Sequence, residues 1–413
     1  MSKRKLFSVV AAVCLVASNV SAESSAVDDP ALSGWINGVL SQNPEVQAAQ
    51  AAADAAGGRL RAADQPLFNP ELEFEYESSE VDTTTGGISQ AIDWSGKREA
   101  RTGVAESGRV AADAELRARR QALATELLRA LADWQAANAI ARVSEKQSEL
   151  MTRFAHLAEQ RRQAGDLDQV ELDLAHLAAA DAAFQQSNAQ ENLIRARQVV
   201  TALTGGDHAS WPALTGTLPE LDPEQIDVER LLADLPLLQA ALARVAAARA
   251  SVQLSLREKR PDPTIGIRAG KEDSDTLTGI TLSVPLFVRN TFSAEVDVAN
   301  AELIQAEREA AGLYQQARAD LTAAAQVYRN AQRAWKTWED SGAPRLSQRT
   351  DLLDRLWRAG ELSTTDYLVQ LKQALETEVS ATEQHGRMWR AWADWLAASG
   401  RIAQWLNLEG ETP

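Results

Sequence analysis

The longest regular pattern in the chain is a helical one, between residues 97 and 164. Apolar residues recur there at three- and four-residue intervals, which is the spacing of one face of an α-helix, and the segment contains no proline. The recurring positions are Leu116, Leu123, Leu127, Leu131, Trp134, Ile140, Val143, Leu150, Phe154 and Leu157. At 1.5 Å per residue such a helix would be about 100 Å long. This length predicts a rod and not an ordinary globular domain.

Short alternating segments interrupt the helical pattern at two places. Residues 71–78 put Leu72, Phe74 and Tyr76 on one face of a strand. The other face carries a row of acids, Glu71, Glu73, Glu75 and Glu77. We predict a turn at 83–87, a second strand at 88–94, and two further strands at 264–269 and 277–286.

Landmarks of the first half recur in the second half in the same order. The pairs are 43–46 with 235–238, 69–74 with 262–267, 88–92 with 282–286 and 164–167 with 359–362, at offsets of 192 to 195 residues. Ordered echoes at one offset indicate a tandem duplication. Each repeat is predicted to run helix, two strands, long helix, glycine turn, long helix.

The repeats divide the chain into five segments. These are a signal peptide (1–22), a first repeat (23–212), a connector (213–228), a second repeat (229–406) and a C-terminal tail (407–413). Helices are predicted at 32–63, with an interruption near Pro44, and at 228–259. Pro344, with Gly342, should interrupt the long helix that precedes Gly360.

The first residues have the pattern of a secretory signal. Lys3, Arg4 and Lys5 precede an apolar run at 6–17, and small residues end at Ala22. The run is shorter than the roughly 20 residues that span a bilayer, and no later segment is apolar for that distance. Cleavage would remove Cys14, the single cysteine, so no disulfide is expected. Val13 stands where a lipoprotein signal needs a small residue, so lipidation is not expected.

Composition and motifs argue against several functions. A net charge of −16 does not favour binding to nucleic acid. There is no phosphate-binding loop and no Ser-His-Asp grouping, so we expect no enzyme, no catalytic residue and no cofactor. The histidines do not have the spacing of a metal site; they are His156, His176, His208 and His385. Trp389, Trp392 and Trp395 share one helix face and are predicted to pack in a core or interface.

The strands suggest a barrel shared between chains. Four short strands do not make a stable sheet alone, and a strand that is apolar on one face and acidic on the other suits a membrane barrel with the glutamates towards the lumen. A barrel needs at least about eight strands, so one chain is insufficient and three would supply twelve. The alternatives are a small soluble hairpin lying on the helices, and a periplasmic coiled coil such as an adaptor.

The chain resembles the TolC-like outer-membrane efflux proteins over essentially its whole length. The resemblance is carried by the duplicated layout, by 43–45, by the strand entry 69–72, by the run 88–98 (ISQAIDWSGKR), and by Gly165 and Gly360 at two helix turns. The run that closes in Gly96-Lys97-Arg98 is most similar to the heavy-metal branch, the outer-membrane component of cobalt–zinc–cadmium type efflux systems. The implied fold is mainly α with a small β-barrel portion: a trimeric α-barrel tunnel and a twelve-stranded barrel with four strands from each chain.

The resemblance also implies partners, a location and a gate. The homotrimer would sit in the outer membrane lipid, extend helices into the periplasm, and receive substrate from an inner-membrane RND-type pump through a periplasmic membrane-fusion adaptor. An acid six positions after each tip glycine would ring the narrow end of the tunnel, which assigns Asp366 and Glu171 to the gate. The alternative for both is an ordinary acid on a solvated helix surface.

The tips differ from the family pattern in one respect. Some family members carry a basic residue two positions after the second glycine, where this chain has Leu362, and Leu167 takes the matching place in the first repeat. Three alternatives follow: the locking salt bridge is absent, another contact replaces it, or both leucines pack against the adaptor, with Gly165 and Gly360 at the docking tips. The cargo stays open between metal cations and drugs or secreted protein, because the pump selects the substrate.

Overall fold

The computed structural model describes residues 30–80, 82–206, 211–215, 217–222 and 226–408. The predicted signal peptide, 1–22, and residues 409–413 of the predicted tail lie outside the described residues. Among the described residues, no helix combines the length and the apolar character that crossing a membrane requires.

Both repeats show the same succession of elements. The first contains α1 (Pro30–Gln42), α2 (Pro44–Ala63), β1 (Glu71–Glu77), β2 (Thr83–Ala91), α3 (Lys97–Ala164) and α4 (Gln169–Thr204). The second contains α5 (Val228–Ala233), α6 (Pro236–Glu258), β3 (Thr264–Glu272), β4 (Asp275–Ser283), α7 (Ser293–Thr337), a π-helical turn (Trp338–Gly342), α8 (Ala343–Arg358), α9 (Thr364–Ala398) and α10 (Ile402–Leu406).

A proline interrupts the first helical stretch of each repeat. Asn43 caps α2 with its side-chain oxygen, which accepts hydrogen bonds from the backbone N–H groups of Glu45 and Val46, and Pro44 takes the first helical position. This confirms the interruption near Pro44. The single helix predicted for 228–259 is wrong, because Pro236 begins a new helix in the same way and separates α5 from α6.

The rod predicted for 97–164 is confirmed by α3, which has 68 residues. Glycines set both of its ends. Gly96 precedes it with φ of 72° and Gly165 follows it with φ of 85°, a left-handed backbone that glycine adopts without steric cost. Where the chain reverses towards α4, the Gly165 N–H donates a hydrogen bond to the Arg162 carbonyl and the Asp166 N–H donates one to the Arg161 carbonyl.

The four strands form one antiparallel sheet in the order β1-β2-β3-β4. The central pair, β2 with β3, joins the two repeats, with Ile88 opposite Ile267. The turn predicted at 83–87 is wrong: Thr83–Gly87 is strand, and it is paired with β1 on one side and β3 on the other. Partners on both sides hold a Thr- and Gly-rich stretch extended, although the glycines weaken its own strand preference.

Other strand limits also shift from their predicted positions. β2 ends at Ala91 and β4 at Ser283, so 92–94 and 284–286 lie beyond the ladder. β3 continues to Glu272 and meets β4 through a tight hairpin at Asp273, whose φ is 51°.

The main core surrounds the middle of α3. Leu123, Leu127 and Leu131 are fully buried there against α1, α9 and α10. The tryptophans of α9 belong to this core, which confirms their predicted packing role: Trp392 and Trp395 stack with ring centroids 5.0 Å apart. Around this core α3 contacts α2 and α6 towards the sheet and α4 and α9 towards the tips. The helices therefore lie side by side along α3.

The predicted interruption at Gly342 and Pro344 is a π-helical turn. The ring of Trp338 lies over Gly342, where a Cβ would come within 2.2 Å of it. Only glycine leaves room for this ring, so the turn is specified by the sequence.

Candidate functional site

The sheet presents one continuous apolar face. Residues paired across strands point to the same side, and one such row consists of Leu72, Ile88, Ile267 and Ile280. Leu72 is 88% exposed and Ile280 is 82% exposed, at opposite edges of this row. Phe74, Tyr76 and Leu282 enlarge the surface. An apolar patch of this extent on a protein surface marks contact with lipid or with another protein.

The opposite face is polar and acidic. Glu71, Glu73, Glu75 and Glu77 lie together on it, as the alternation predicted, and the side chain of Ser89 donates a hydrogen bond to Glu73 at 3.0 Å. The neighbouring positions on this face are small: Thr83, Thr85, Gly87, Gly266, Gly270 and Gly279. The outer edges of β1 and β4 have no strand partner within the described chain.

The segment between β2 and α3 fixes the sheet to the helices. The Asp93 carboxylate accepts hydrogen bonds from the backbone N–H groups of Lys97 and Arg98 at 2.9 and 2.8 Å, which caps α3. Burial alone would raise the pKa of Asp93, but these backbone donors and the charge of Lys97 outweigh it, so the pKa is lowered. The Trp94 indole N–H donates to the Pro261 carbonyl at 2.7 Å.

An ion pair between the repeats completes this junction. Lys97 Nζ lies 2.9 Å from Asp262 Oδ2, and both side chains are nearly buried, 13% and 8% exposed. Arg257 adds hydrogen bonds to the Gly96 carbonyl and to Glu99. Residues of the run 88–98 thus join the sheet to α3 and the first repeat to the second. Sequence reasoning missed the pairing, because Asp262 stands in the other repeat.

The two helix tips are built alike. Gly165 and Gly360 both take the left-handed conformation, and each is followed by a capped helix. Asp168 caps α4, with Glu171 reaching back to the Asp168 N–H in a reciprocal capping box. In the second repeat Ser363 caps α9 and also donates a hydrogen bond to Asp366 at 2.7 Å.

The two acids assigned to the gate therefore hold equivalent positions. Glu171 and Asp366 are each the third residue of the helix that follows a tip, where a carboxylate is favoured by the helix dipole. Asp366 is exposed and Glu171 is half-buried. They lie on the tips of different hairpins, and within the described chain no hydrogen bond joins them.

The leucines at the tips are turned into the protein. Leu167 is buried at 7% exposure and Leu362 is half-buried against the same cluster. The exposed tip positions are instead Gly165, Asp166, Val170, Gly360 and Glu361. The surface of the first tip is therefore formed by its exposed positions, and Leu167 lies inside it.

An aromatic cluster of Phe154, Trp357 and Tyr367, here called the aromatic clasp, joins the helices that lead to the two tips. Phe154 from α3 contacts both Trp357 from α8 and Tyr367 from α9, with ring centroids 4.8 and 5.5 Å away, and Trp357 stacks on Tyr367 at 4.9 Å. The Arg161 guanidinium lies 4.8 Å from the centre of the Trp357 ring. Sequence reasoning missed this clasp: helical spacing marks Trp357 as apolar-facing but does not say that its partner is about 200 residues away.

The described residues contain no group of three or more His, Cys, Asp or Glu side chains that could hold a metal ion. The polar groups of interest are therefore the acidic face of the sheet and the acids of the tips.

Residues 35–206 match the family described as outer membrane efflux protein. They span α1 to α4, with the first hairpin of the sheet and the first helix tip, so the family match covers the first repeat with its strands and its long helices.

The chain is also similar to the cobalt-zinc-cadmium resistance protein CzcC of Cupriavidus metallidurans. The chain is 27% identical to it over 262 residues, which is 61% of this chain and 62% of CzcC. The aligned part thus spans less than two thirds of the relative's length.

Solved channel structures share the fold. The Campylobacter jejuni CmeC outer membrane channel superposes with a TM-score of 0.76 at 16% identity, covering 91% of this chain and 86% of CmeC. CusC superposes with a TM-score of 0.75 at 16% identity, covering 90% of this chain and 92% of CusC. The chain shares the fold of these channels, mostly helical with a small four-stranded sheet, which confirms the predicted mainly α fold with a small β portion.

Proposed function

We propose that the chain is the outer-membrane conduit of a tripartite efflux system, passive and without catalytic activity. The observation that carries this proposal is the sheet itself. Its apolar face is exposed, its acidic face is lined with small residues, and both of its outer edges are open. Three copies joined edge to edge would close twelve strands into a barrel with the apolar face towards lipid and the glutamates towards the lumen.

The helices extend this conduit away from the membrane. The length of α3, about 100 Å at 1.5 Å per residue, suits a tunnel that crosses much of the periplasm. The described tips would meet a periplasmic membrane-fusion adaptor, with Gly165 and Gly360 at the turns and Leu167 and Leu362 supporting them. The energy for transport would come from an inner-membrane RND-type pump.

The gate is proposed at the tips. Three copies of Asp366 converging at the narrow end of the tunnel would form a carboxylate ring, which favours cations, with Glu171 at the matching place of the first repeat. The exposure of Asp366 and its position in the first turn of α9 support this role, because its charge is turned to solvent.

The cargo is proposed to be a divalent heavy-metal cation. The name of the relative CzcC supports this choice, and so do the glutamate row of the sheet and the acids of the tips, which attract cations. The metal would pass over acidic surfaces and not rest in a fixed site.

Resistance and conductance measurements test this function together. A strain that lacks its own outer-membrane component should regain growth in cobalt, zinc or cadmium when this chain is supplied with its cognate pump and adaptor. Restored growth on an organic drug alone would contradict the metal assignment and leave the conduit standing. The absence of any conductance from the purified protein in a planar bilayer would contradict the conduit.

The gate is tested by an isosteric change. Asp366→Asn keeps an oxygen that can accept the Ser363 hydrogen bond but removes the charge. Block of the channel by divalent cations should then weaken by about tenfold or more, which corresponds to about 1.4 kcal/mol of lost binding. Glu171→Gln tests the matching acid of the first repeat, and Asp297→Asn, at an exposed position of α7, is the matched control. Equal cation block in Asp366→Asn and the unchanged chain would contradict the ring.

A further inference from the structure

The polar face of the sheet distributes its charges unevenly between the two open edges. Acids dominate the β1 edge, where Glu71, Glu73, Glu75 and Glu77 form a row. Among the residues of the four described strands, Arg268 on β3 is the one basic side chain on this face, since Lys271 is paired with Thr84 and Thr276 on the apolar side. Glu272 on β3 and Asp275 on β4 also lie on this face, at its hairpin end. The β1 edge therefore carries acids alone, whereas the β4 side carries the one base together with two acids.

Glycines direct Arg268 towards the β4 edge. In register, Arg268 is flanked by Gly87 on β2 and Gly279 on β4. Its Cγ and Nε lie 3.4 and 3.2 Å from the point that a Cβ of Gly279 would occupy. The side chain therefore lies over β4 at Gly279, where that strand has no side chain, next to the open edge.

Neither side of this charge pattern is satisfied within one chain. Arg268 makes no hydrogen bond or ion pair with the described residues, and the same holds for Glu71, Glu75 and Glu77. Glu73 accepts a hydrogen bond from Ser89 only. Four like charges on alternate positions of one strand repel each other, so the row would be stabilised by a cation from outside its own chain.

A second copy of the same chain would supply this positive charge, its Arg268, if its β4 edge paired with the β1 edge of the first copy. In this sheet β1 and β4 run in opposite directions, so β4 of one copy can pair with β1 of the next in antiparallel fashion. The apolar row stays continuous across the joint only if the polar faces also coincide, because a shift of one residue would turn every side chain to the other face. In that arrangement Gly279 stands opposite a glutamate of the row, and Arg268 reaches over it.

We infer that Arg268 forms an ion pair with the glutamate row of the adjacent copy. The Arg268 side chain, which passes over Gly279, would then stabilise each joint between copies. The inference rests on the proposed trimeric conduit and adds the residue that selects the register of its joints. Arginine suits this position because its planar guanidinium binds a carboxylate through two hydrogen bonds.

Charge reversal on intact protein from the outer membrane tests this pair. Arg268→Glu should raise the fraction of dissociated chain, at a fixed temperature in mild detergent, by about tenfold or more, since like charges placed together across an interface cost several kcal/mol. Lys271→Glu makes the same change of charge on the other face of the same strand and is the matched control. Arg268→Gln should give an intermediate loss.

Exchanging the two charges between the partners tests the ion pair even if the Arg268→Glu protein is present in small amounts. Glu71, Glu73, Glu75 and Glu77 are replaced by Arg one at a time in the Arg268→Glu background, and one of these doubles should restore the assembly and thereby report the register. The ion pair would be overturned if Arg268→Glu lost no more assembled protein than Lys271→Glu. It would also be overturned if none of the four double variants restored the assembly. An unchanged chain that is monomeric would instead overturn the conduit itself, so the two failures are distinct.

Discussion

At the scale of single residues, small side chains decide how closely the backbones approach. Gly279 gives Arg268 a path over β4, Gly342 gives Trp338 a place over the π-helical turn, and Gly386 lets α9 lie against α3. Each of these positions would meet another atom if it carried a Cβ. Their role is therefore packing and not flexibility.

Gly386→Ala tests this statement on the helix pair. A Cβ at Gly386 would come within 2.7 Å of Ala136 Cβ, so the helices must separate. We expect a loss of about 1–3 kcal/mol from overpacking, measured as a lower midpoint of thermal unfolding in detergent. Gly103→Ala, at an exposed position of α3 with nothing within 4 Å, should instead gain about 0.8–1.0 kcal/mol from helix propensity. A gain in both variants would contradict the close approach.

His385 gives the core a dependence on pH. Its ring lies 4.6 Å from Trp335, and burial lowers its pKa although the charge of Glu339 opposes the shift. The unfolded chain therefore binds a proton more readily, so stability should fall as the pH drops below the ordinary value of 6.5 and the loss should end once the folded ring is also protonated. His385→Phe keeps an aromatic ring without the titration. Its unfolding midpoint should decline less than that of the unchanged chain between pH 7.5 and 5, and parallel declines would contradict this cause.

At the scale of elements, the sequence predicted what local chemistry determines. The bounds of α3 follow from Gly96 and Gly165, and the break before α2 follows from Asn43 and Pro44. The stretch 83–87 was misread because its threonines and glycines are extended only through two neighbouring strands. The ion pair of Lys97 with Asp262 and the clasp of Phe154 with Trp357 join the two repeats, and periodicity within one repeat contains no information about them.

The aromatic clasp should control how firmly the tips are held. Trp357→Ala removes the ring that contacts both Phe154 and Tyr367, and truncation of a buried aromatic residue costs about 3–5 kcal/mol. We expect amide exchange to accelerate by at least about tenfold around the tips, with little change around the main core. Trp357→Phe retains a ring and should lose less. Unchanged exchange at the tips in Trp357→Ala would show that the clasp does not hold them.

At the scale of the whole molecule, the duplication leaves a sheet that one chain cannot complete. The two repeats meet at the pairing of β2 with β3, and this leaves β1 and β4 open at opposite edges. An exposed edge is a template for pairing with another chain, and an exposed apolar face needs cover. Three copies would pair all the edges with one another and turn the apolar faces to lipid, which is why the trimer is central to the proposed function.

The mass of the complex extracted from the outer membrane tests this most directly. Native mass determination in detergent should give three copies of the chain, found in the outer-membrane fraction. A monomer or dimer, or a protein recovered from the soluble periplasmic fraction, would contradict the closed barrel and with it the conduit.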